Sequence, residues 1–509
     1  MRKGWDALRA MGSGVIAPPG AAEPSPGRAA RTALAVPAAT AAAVATVVPG
    51  AAPACGVEVG LAVEAACATD APETGGMPAR AYHSAYGSRV PFIDLSAPRP
   101  AAKSHPDAEL LRLPFPPRAR TGFHGNGPDG VADLLALAYG VTRVDWHAEG
   151  IAAGRPVPSG GAAYPAELYL AAGFGLCHYL PTAHALERLE TADLRREILD
   201  CLEARPANPP ELVFLITARH RANLGIFGAA GHRLQALDAG VLAGQGLALA
   251  EAAGAETFVH TRFDAARLGA LLGLDPAEES VRVLITAGAA RGEPAAVPAF
   301  STDPGALHAG LPRRIMARRT ARDGFEPISV PLQRIHEVLD AAAREIPGDV
   351  HSGRGQEFAG LDLYCLAHRV DGLEPACHRR SPNTGELLRV RDTAEPTSLF
   401  QAGSAGELAQ FQAACALLVV GDYEHGYRGY GERWYRMLNL YAGITAQRIG
   451  ISATAAGLGS NVRCDYQLKV ADRLIHASPG RTVLTVVLIG AERDTLPPGH
   501  RLLLGGYGS

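Results

Sequence analysis

Apolar and polar positions follow a regular order from about residue 80 onward. Short apolar runs bounded by turn residues predict β-strands, and a longer run of small apolar residues predicts a helix. The first part of the chain predicts, in order, a short amphipathic helix, two strands joined by a glycine turn, a third strand, a long helix and a last strand: Val131–Val141, Glu167–Ala171, Leu176–Leu180, Leu212–Thr217, Leu234–Ala253 and Val281–Ala287. Such a mixture indicates an α+β fold.

The second part of the chain repeats this order at an offset of 203 positions. The long helices then match at arginine, leucine and glycine positions: Arg233 and Arg436, Leu237 and Leu440, Gly240 and Gly443. Because alanine and glycine let a neighbouring backbone approach closely, we expect these two helices to pack against each other. The sequence therefore predicts two α+β domains in tandem that form an intramolecular pseudodimer.

Composition divides the chain into four segments. Residues 1–79 are rich in Ala, Pro and Gly and are expected to form a flexible extension. Two domains are predicted at 80–295 and 313–509, joined by a linker at 296–312. Prolines interrupt the apolar run of the extension, which argues against an export signal, and no segment has the ~18 uninterrupted apolar residues of a transmembrane helix.

Charge and residue usage exclude several classes of protein. The 48 basic and 51 acidic side chains give a net charge of −3, so neither a nucleic acid nor a membrane is an expected partner. The lysines are Lys3, Lys103 and Lys469, none in a glycine-rich phosphate-binding context, which excludes a P-loop NTPase. Eight cysteines without a Cys-x-x-Cys favour a reducing cytoplasm over a disulfide framework.

One set of zinc-type ligands stands close in sequence, namely Cys365, His368, Cys377 and His378. Cys377-His378 matches Cys177-His178 in the predicted hairpin of the first half, and a repeated strand position is the simpler account. We therefore expect no metal site.

Two segments carry chemistry suited to a flat, phosphorylated ligand. In Arg318–Arg322, guanidinium groups and the Thr320 hydroxyl can meet at one phosphate; a solvated basic linker is the alternative. In Pro158–Gly161, two glycines let the backbone approach a flat ligand while prolines stiffen the loop; an ordinary turn is the alternative.

Together these segments resemble the SagB-type (SagB/ThcOx) dehydrogenases among the nitroreductase-like flavoproteins. The resemblance covers roughly 80–509 and is most specific at Pro158–Pro165 followed by Glu167–Tyr169. Arg318–Phe325 is similar to the Arg-Arg-Ser-x-Arg-x-Phe start of a nitroreductase domain.

The resemblance implies one FMN in the interface between the two domains. The implied cofactor ligands come from three segments: Pro158, Ser159, Gly160 and Gly161; Arg318, Thr320 and Arg322; Gly459, Ser460 and Asn461. The arginines and Thr320 would hold the phosphate, the ribityl chain and the flavin carbonyl edge. The serine-glycine loop would line the flavin, and the third segment would pass its reactive nitrogen.

The two halves differ in which motifs they keep. Residues 114–130 lack an Arg-Arg-Ser-x-Arg, and 351–355 keep only a remnant of Pro-Ser-Gly-Gly. One composite site therefore combines the loop of the first half with the basic segment of the second, and the mirror-related site is expected to be empty.

SagB-type enzymes usually carry a Lys-Tyr-Gly before the long helix, and here the lysine is missing. Tyr430 keeps the phenol, with Arg428 or His425 near it in sequence, and becomes the candidate catalytic residue. The alternative is that Tyr430 belongs to a set of interface aromatics.

By resemblance the chain is an FMN-dependent dehydrogenase that oxidises azoline rings of a ribosomally made peptide to thiazoles or oxazoles. Its implied partners are the modified precursor peptide and a cyclodehydratase. Two alternatives stay open: a generic NAD(P)H-dependent nitroreductase or flavin oxidoreductase, and a non-catalytic scaffold for a cyclodehydratase.

Overall fold

The computed structural model describes residues 79–83, 93–94, 97, 100–114, 127–147, 150–206, 208–288, 311–312, 314–350, 361–391, 397–497 and 499–504. The extension at 1–78, residues 296–310 of the expected linker and the 351–355 remnant lie outside them, as do residues 115–126.

In the described part of the first half the helices are α1 (Ala79–Tyr82), α2 (Ala132–Tyr139), α3 (Arg195–Leu199), α4 (Arg221–Phe227), α5 (Gly231–Ala252) and α6 (Ala265–Leu271). Its strands are β1 (Glu109–Arg112), β2 (Arg143–His147), β3 (Gly150–Gly154), β4 (Ala166–Ala172), β5 (Gly175–Leu180), β6 (Ala185–Glu190), β7 (Leu212–Arg219), β8 (Glu256–His260) and β9 (Glu279–Gly288).

In the described part of the second half the helices are α7 (Leu332–Ala342), α8 (Ala405–Gln412), α9 (Tyr427–Tyr430), α10 (Arg433–Ala455) and α11 (Leu468–Leu474). Its strands are β10 (Phe325–Glu326), β11 (Val330–Pro331), β12 (Asp362–Ala367), β13 (Val370–Asp371), β14 (Cys377–Arg380), β15 (Leu387–Arg391), β16 (Cys415–Asp422), β17 (Gly459–Arg463), β18 (Arg481–Glu492) and β19 (Arg501–Leu503).

Each half is built on an antiparallel sheet. The first sheet has the order β1-β6-β5-β4-β7-β9-β8, and the second has the order β10-β18-β16-β12-β14-β15, with β17 also paired to β18. One apolar core joins the two long helices to the inner faces of both sheets, and a smaller core lies on the outer face of each sheet. This confirms the predicted tandem α+β architecture.

The repeat is visible in backbone detail. The register of the central strand pair shifts between Ile216 and Thr217 in the first half and between Val419 and Val420 in the second, 203 positions later. Gly228 ends α4 with φ 55° and ψ −148°, and Gly431 ends α9 with φ 59° and ψ −148°. Only glycine adopts this conformation readily, which explains why both positions are glycine.

The long helices cross at the matched glycines. A Cβ at Gly240 would overlap the carbonyl oxygen of Leu440, and a Cβ at Gly443 would overlap the carbonyl oxygen of Leu237. The contact is reciprocal, as in a two-fold symmetric dimer. The predicted packing of α5 against α10 is therefore confirmed.

The matched arginines cross the same interface. Arg233 donates from Nη2 to the carbonyl oxygen of Leu484 on β18, and Arg436 donates from Nη1 to the carbonyl oxygen of Arg282 on β9 at 2.9 Å. Leu484 on β18 and Arg282 on β9 occupy equivalent positions, because each lies at the register shift of its strand. The repeat therefore preserves the residues by which the halves hold each other.

Two sequence interpretations require correction. Helix α2 is buried at every position but Asp133, so the expected amphipathic helix is an internal one. In the hairpins, Leu170 pairs with Cys177 and Cys365 pairs with His378, so Cys177 corresponds to His378 and not to Cys377. A one-residue slip exchanges the two faces of a strand, which the sequence match did not detect.

Candidate functional site

The basic segment 318–322 lies beside β17. The backbone of Thr320 bridges to that of Ser460, and the Ala321 N–H donates to the Ser460 carbonyl oxygen at 2.9 Å. The Asn461 side chain donates to the Ala321 carbonyl oxygen at 3.0 Å. Two of the three predicted cofactor segments, Arg318–Arg322 and Gly459–Asn461, are thus brought together, and the Asn461 side chain holds the backbone of the basic segment.

Arg318 joins the two halves. The Arg318 guanidinium donates from Nε to the carbonyl oxygen of Pro156 at 2.5 Å and from Nη2 to that of Arg155 at 3.5 Å. Arg143 in turn donates to the carbonyl oxygen of Arg318 at 3.5 Å. Arg318 is 3% exposed, and burial together with the nearby Arg143 lowers its pKa to about 9. Within the described residues no carboxylate pairs with it, so this buried cation is suited to an anionic ligand.

A cleft of about 460 Å³ opens beside this contact. It is lined by residues of both halves: Arg143, Asp145, Trp146, His147, Arg319, Thr320, Arg322, Asp323, Glu492, Asp494, Thr495, Leu496, Pro497, His500 and Arg501. The first half contributes residues of β2 to the cleft lining, and β2 pairs with β19 near the end of the second half.

Among the described residues, some arginines of the cleft are paired with carboxylates and one is not. Arg319 pairs with Glu492 at 2.7 Å and with Asp494 at 2.9 Å, and Arg501 pairs with Asp145 at 2.8 Å. Arg322 is exposed and makes no side-chain ion pair to another described residue. Thr320 and Arg322 are therefore the polar groups of the basic segment that face the cleft and stay available to a ligand.

The loop of the first half has a strained backbone. Gly161, Ala162 and Tyr164 have φ values of 57°, 53° and 47°. The last two are rare conformations for residues with a Cβ and cluster at ligand-binding sites. A Cβ added at Gly160 would lie 3.3 Å from the Phe227 ring, so the loop rests directly on α4.

Asp238 on α5 supports this loop from below. The Ser159 hydroxyl donates to Asp238 Oδ2 at 2.7 Å and accepts from the Tyr164 N–H at 2.9 Å. Burial raises the pKa of Asp238 to about 7, while hydrogen bonds from Ser159 and the Gly160 N–H act in the opposite direction. Sequence reasoning missed Asp238, although an aspartate inside an Ala- and Gly-rich helix is a signal for a buried polar contact.

Tyr430 contacts residues of both halves of the chain. Its hydroxyl donates to the Val350 carbonyl oxygen at 3.0 Å, and its ring stacks on Trp434 with centroids 5.5 Å apart. Burial raises its pKa, and Arg262, whose guanidinium lies 5.6 Å from the ring centre, partly offsets this. The residue 203 positions earlier is Phe227, which has no hydroxyl group. The catalytic role of Tyr430 stays a prediction.

The mirror-related region is described only in part. Asp349, which precedes 351–355, accepts from the Thr261 N–H at 2.7 Å and the Arg262 N–H at 2.8 Å. The segment that would replace the basic motif, 114–130, is described only at Pro114 and 127–130, the last four forming part of a turn before α2. The expected emptiness of this site stays a prediction.

The chain matches a protein family and single known proteins. Residues 143–289 and 315–490 match the family described as "Nitroreductase family". A protein of Methanocaldococcus jannaschii, MJ1384, a nitroreductase by name, is 29% identical over 103 residues, which are 20% of this chain and 50% of that protein. The match thus spans half the length of this curated relative.

Among the solved structures that match the chain are the following two. A nitroreductase by name from Anabaena variabilis has a TM-score of 0.66 and 17% identity, covering 82% of this chain and 99% of its own; it shares the fold. A chain of the E. coli microcin synthetase McbBCD complex with truncated pro-MccB17 has a TM-score of 0.31 and 17% identity, covering 46% of this chain and 94% of its own. Within the described residues no helix is long and apolar enough to span a membrane.

Proposed function

The chain belongs to the nitroreductase family, and from that premise we propose that it is an FMN-dependent dehydrogenase that oxidises azoline rings of a ribosomally made peptide to thiazoles or oxazoles. Membership supports the class of oxidoreductase. The azoline substrate, the precursor peptide and a cyclodehydratase partner rest on the resemblance of the 158–169 and 318–325 motifs to the SagB-type enzymes.

The observation that carries the proposal is the contact of Arg318 with the carbonyl oxygens of Pro156 and Arg155. It holds the basic segment of one half against the residues that lead into the serine-glycine loop of the other, as a composite cofactor site requires. No described carboxylate makes an ion pair with the buried Arg318, and Glu492 only partly offsets the lowering of its pKa. A phosphate would add negative charge at this place, and charge-assisted hydrogen bonds to guanidinium groups are strong. The residues present therefore fit FMN.

In this site Arg318, Thr320 and Arg322 would bind the phosphate and ribityl groups, and Pro158–Gly161 with Gly459–Asn461 would flank the flavin. When bound, FMN supplies the acceptor for the hydride that leaves the ring. Asp238 accepts a hydrogen bond from Ser159 and so positions the loop that would line the flavin. Tyr430 stays the proposed phenol for proton removal, and substitution is needed to test it.

The test is to incubate the purified protein with FMN and a synthetic peptide that contains a thiazoline. We expect oxidation to the thiazole, seen by mass spectrometry as the loss of two hydrogens, without NAD(P)H. Consumption of NAD(P)H with no change in the peptide would favour the generic reductase. Bound FMN with neither reaction, even with a cyclodehydratase present, would contradict the catalytic proposal and favour the scaffold.

A further inference from the structure

A polar row crosses the outer face of the first sheet. It runs through neighbouring strands from β6 to β9 and contains Glu187, His178, Glu167, Thr217 and Glu279. Residues 101–105 cross this row. Arg219 donates to the Ala101 carbonyl oxygen at 2.7 Å, Lys103 pairs with Glu279 at 2.5 Å, and the His105 N–H donates to Glu187 at 3.0 Å.

At one end of this row three metal-type ligands meet. A ring nitrogen of His105, a ring nitrogen of His178 and a carboxylate oxygen of Glu187 all lie within 4.8 Å of one another. His178 is fully buried and Glu187 is 3% exposed. The Nε2 atom of His105 is buried and has no hydrogen-bond partner among the described residues, which is unusual for a buried polar atom.

The surroundings of His178 match those of a metal-bound imidazole. Its Nδ1 faces Glu187 Oε2 at 2.8 Å, on the side of the three-ligand group, and its Nε2 faces Glu167 Oε2 at 3.3 Å. Histidines that bind metals usually donate their other N–H to a carboxylate, which fixes the tautomer and the ring orientation. Glu167 is in turn held by Arg219 at 3.5 Å.

From this geometry we propose that His105, His178 and Glu187 bind a divalent transition-metal ion, with Zn²⁺ the best match. Two imidazoles and one carboxylate are a known zinc ligand set that leaves a fourth position to water. The ion would fix residues 101–108 on the sheet, with Glu167 orienting His178. The competing account is a metal-free imidazolium clamped by two carboxylates, and metal binding requires that this proton leave.

The experiment is calorimetric titration of the full-length, chelator-treated chain with Zn²⁺, with metal content checked by elemental analysis. We expect one tight equivalent per chain that weakens by at least about tenfold in His105→Ala and in Glu187→Gln, and by about 10–100-fold in Glu167→Gln. His336→Ala, a half-buried histidine on α7, is the matched control and should leave binding unchanged.

His105 lies on a connecting segment and is half-exposed, so its variant should fold even if His178→Ala does not; circular dichroism verifies this. Absence of a tight equivalent in the wild-type chain overturns the proposal. Wild-type affinity in folded His105→Ala and Glu187→Gln does the same, because any bound zinc then lies elsewhere. Neither readout depends on flavin.

Discussion

The two halves have the same residues at the interface between them and different residues near the proposed ligand site. Both have the same bulge, the same positive-φ glycine and the same crossing arginine. In the first half Ser159 is held by Asp238, whereas the position equivalent to Asp238 in the second half is Tyr441, whose hydroxyl lies against Gly348. The chain segments packed against these two equivalent helix positions are therefore supported by different chemistry.

This difference shows how a duplicated domain can make one site from two. The interface needs both copies of its glycine and arginine, because each contact is reciprocal. A ligand loop carries no such requirement, so one copy can keep the serine-glycine sequence while the other loses it. The residues that precede the second copy, Asp349 and Val350, accept hydrogen bonds from Thr261 and from the hydroxyl of Tyr430. Pseudosymmetry is thus a property of the scaffold and not of the site.

The largest expected effect concerns Asp238 and pH. Its pKa rises from 3.8 to about 7 on folding, so between these values the folded chain holds a proton that the unfolded chain has released. Stability from this residue is therefore complete below pH 3.8 and lost as pH rises to about 7. At about 1.4 kcal/mol per pH unit the total is of the order of 4 kcal/mol.

Denaturant titrations of the wild-type chain and Asp238→Asn measure this loss. The difference in their free energies of unfolding should fall steadily between pH 4 and 7 and level off above. Tyr441→Phe, at the equivalent position of the second half, should show no such slope. A difference between wild type and Asp238→Asn that is constant with pH would place the carboxylate outside the buried loop contact.

The second prediction targets the shared interface. Gly240→Ala forces a methyl group against the Leu440 carbonyl oxygen and should lower the free energy of unfolding by about 1–3 kcal/mol. Gly246→Ala, on the same helix, meets only the Ile285 side chain at 3.6 Å and should be neutral or stabilising by up to about 1 kcal/mol. Equal effects of the two would mean that the helices do not cross at Gly240.

The smallest expected effect is that of Tyr430→Phe. Loss of the hydrogen bond to the Val350 carbonyl oxygen should cost about 1 kcal/mol of stability, with FMN content unchanged. Azoline turnover is the second readout. A fall of about tenfold or more, in the range expected for a general acid or base, would support the catalytic phenol, and unchanged turnover would leave the hydroxyl with the structural role alone.

Much of the scaffold could be predicted because its sequence pattern occurs twice in the chain. The offset of 203 positions found the crossing glycines and arginines, since their roles require the same residue in both copies. The pairing of β2 with β19 joins residues some 350 positions apart, and no local pattern predicts it. The Asp238–Ser159 contact was missed because a single aspartate in a helix forms no repeating pattern. The surroundings of Tyr430 could not be predicted either, because they depend on which loop packs against it.

The central claim is that one FMN binds between the halves, at the contact made by Arg318. The direct measurement is the visible absorption spectrum of the purified, FMN-reconstituted chain, with the released chromophore quantified, for wild type, Arg318→Ala and Arg322→Ala. Arg319→Ala is the control, because Glu492 and Asp494 already pair with that side chain. The account predicts one FMN per chain, retained in Arg319→Ala and lost or much weakened in the other two variants. No flavin in the wild-type chain, or wild-type affinity in both Arg318→Ala and the exposed Arg322→Ala, would contradict it.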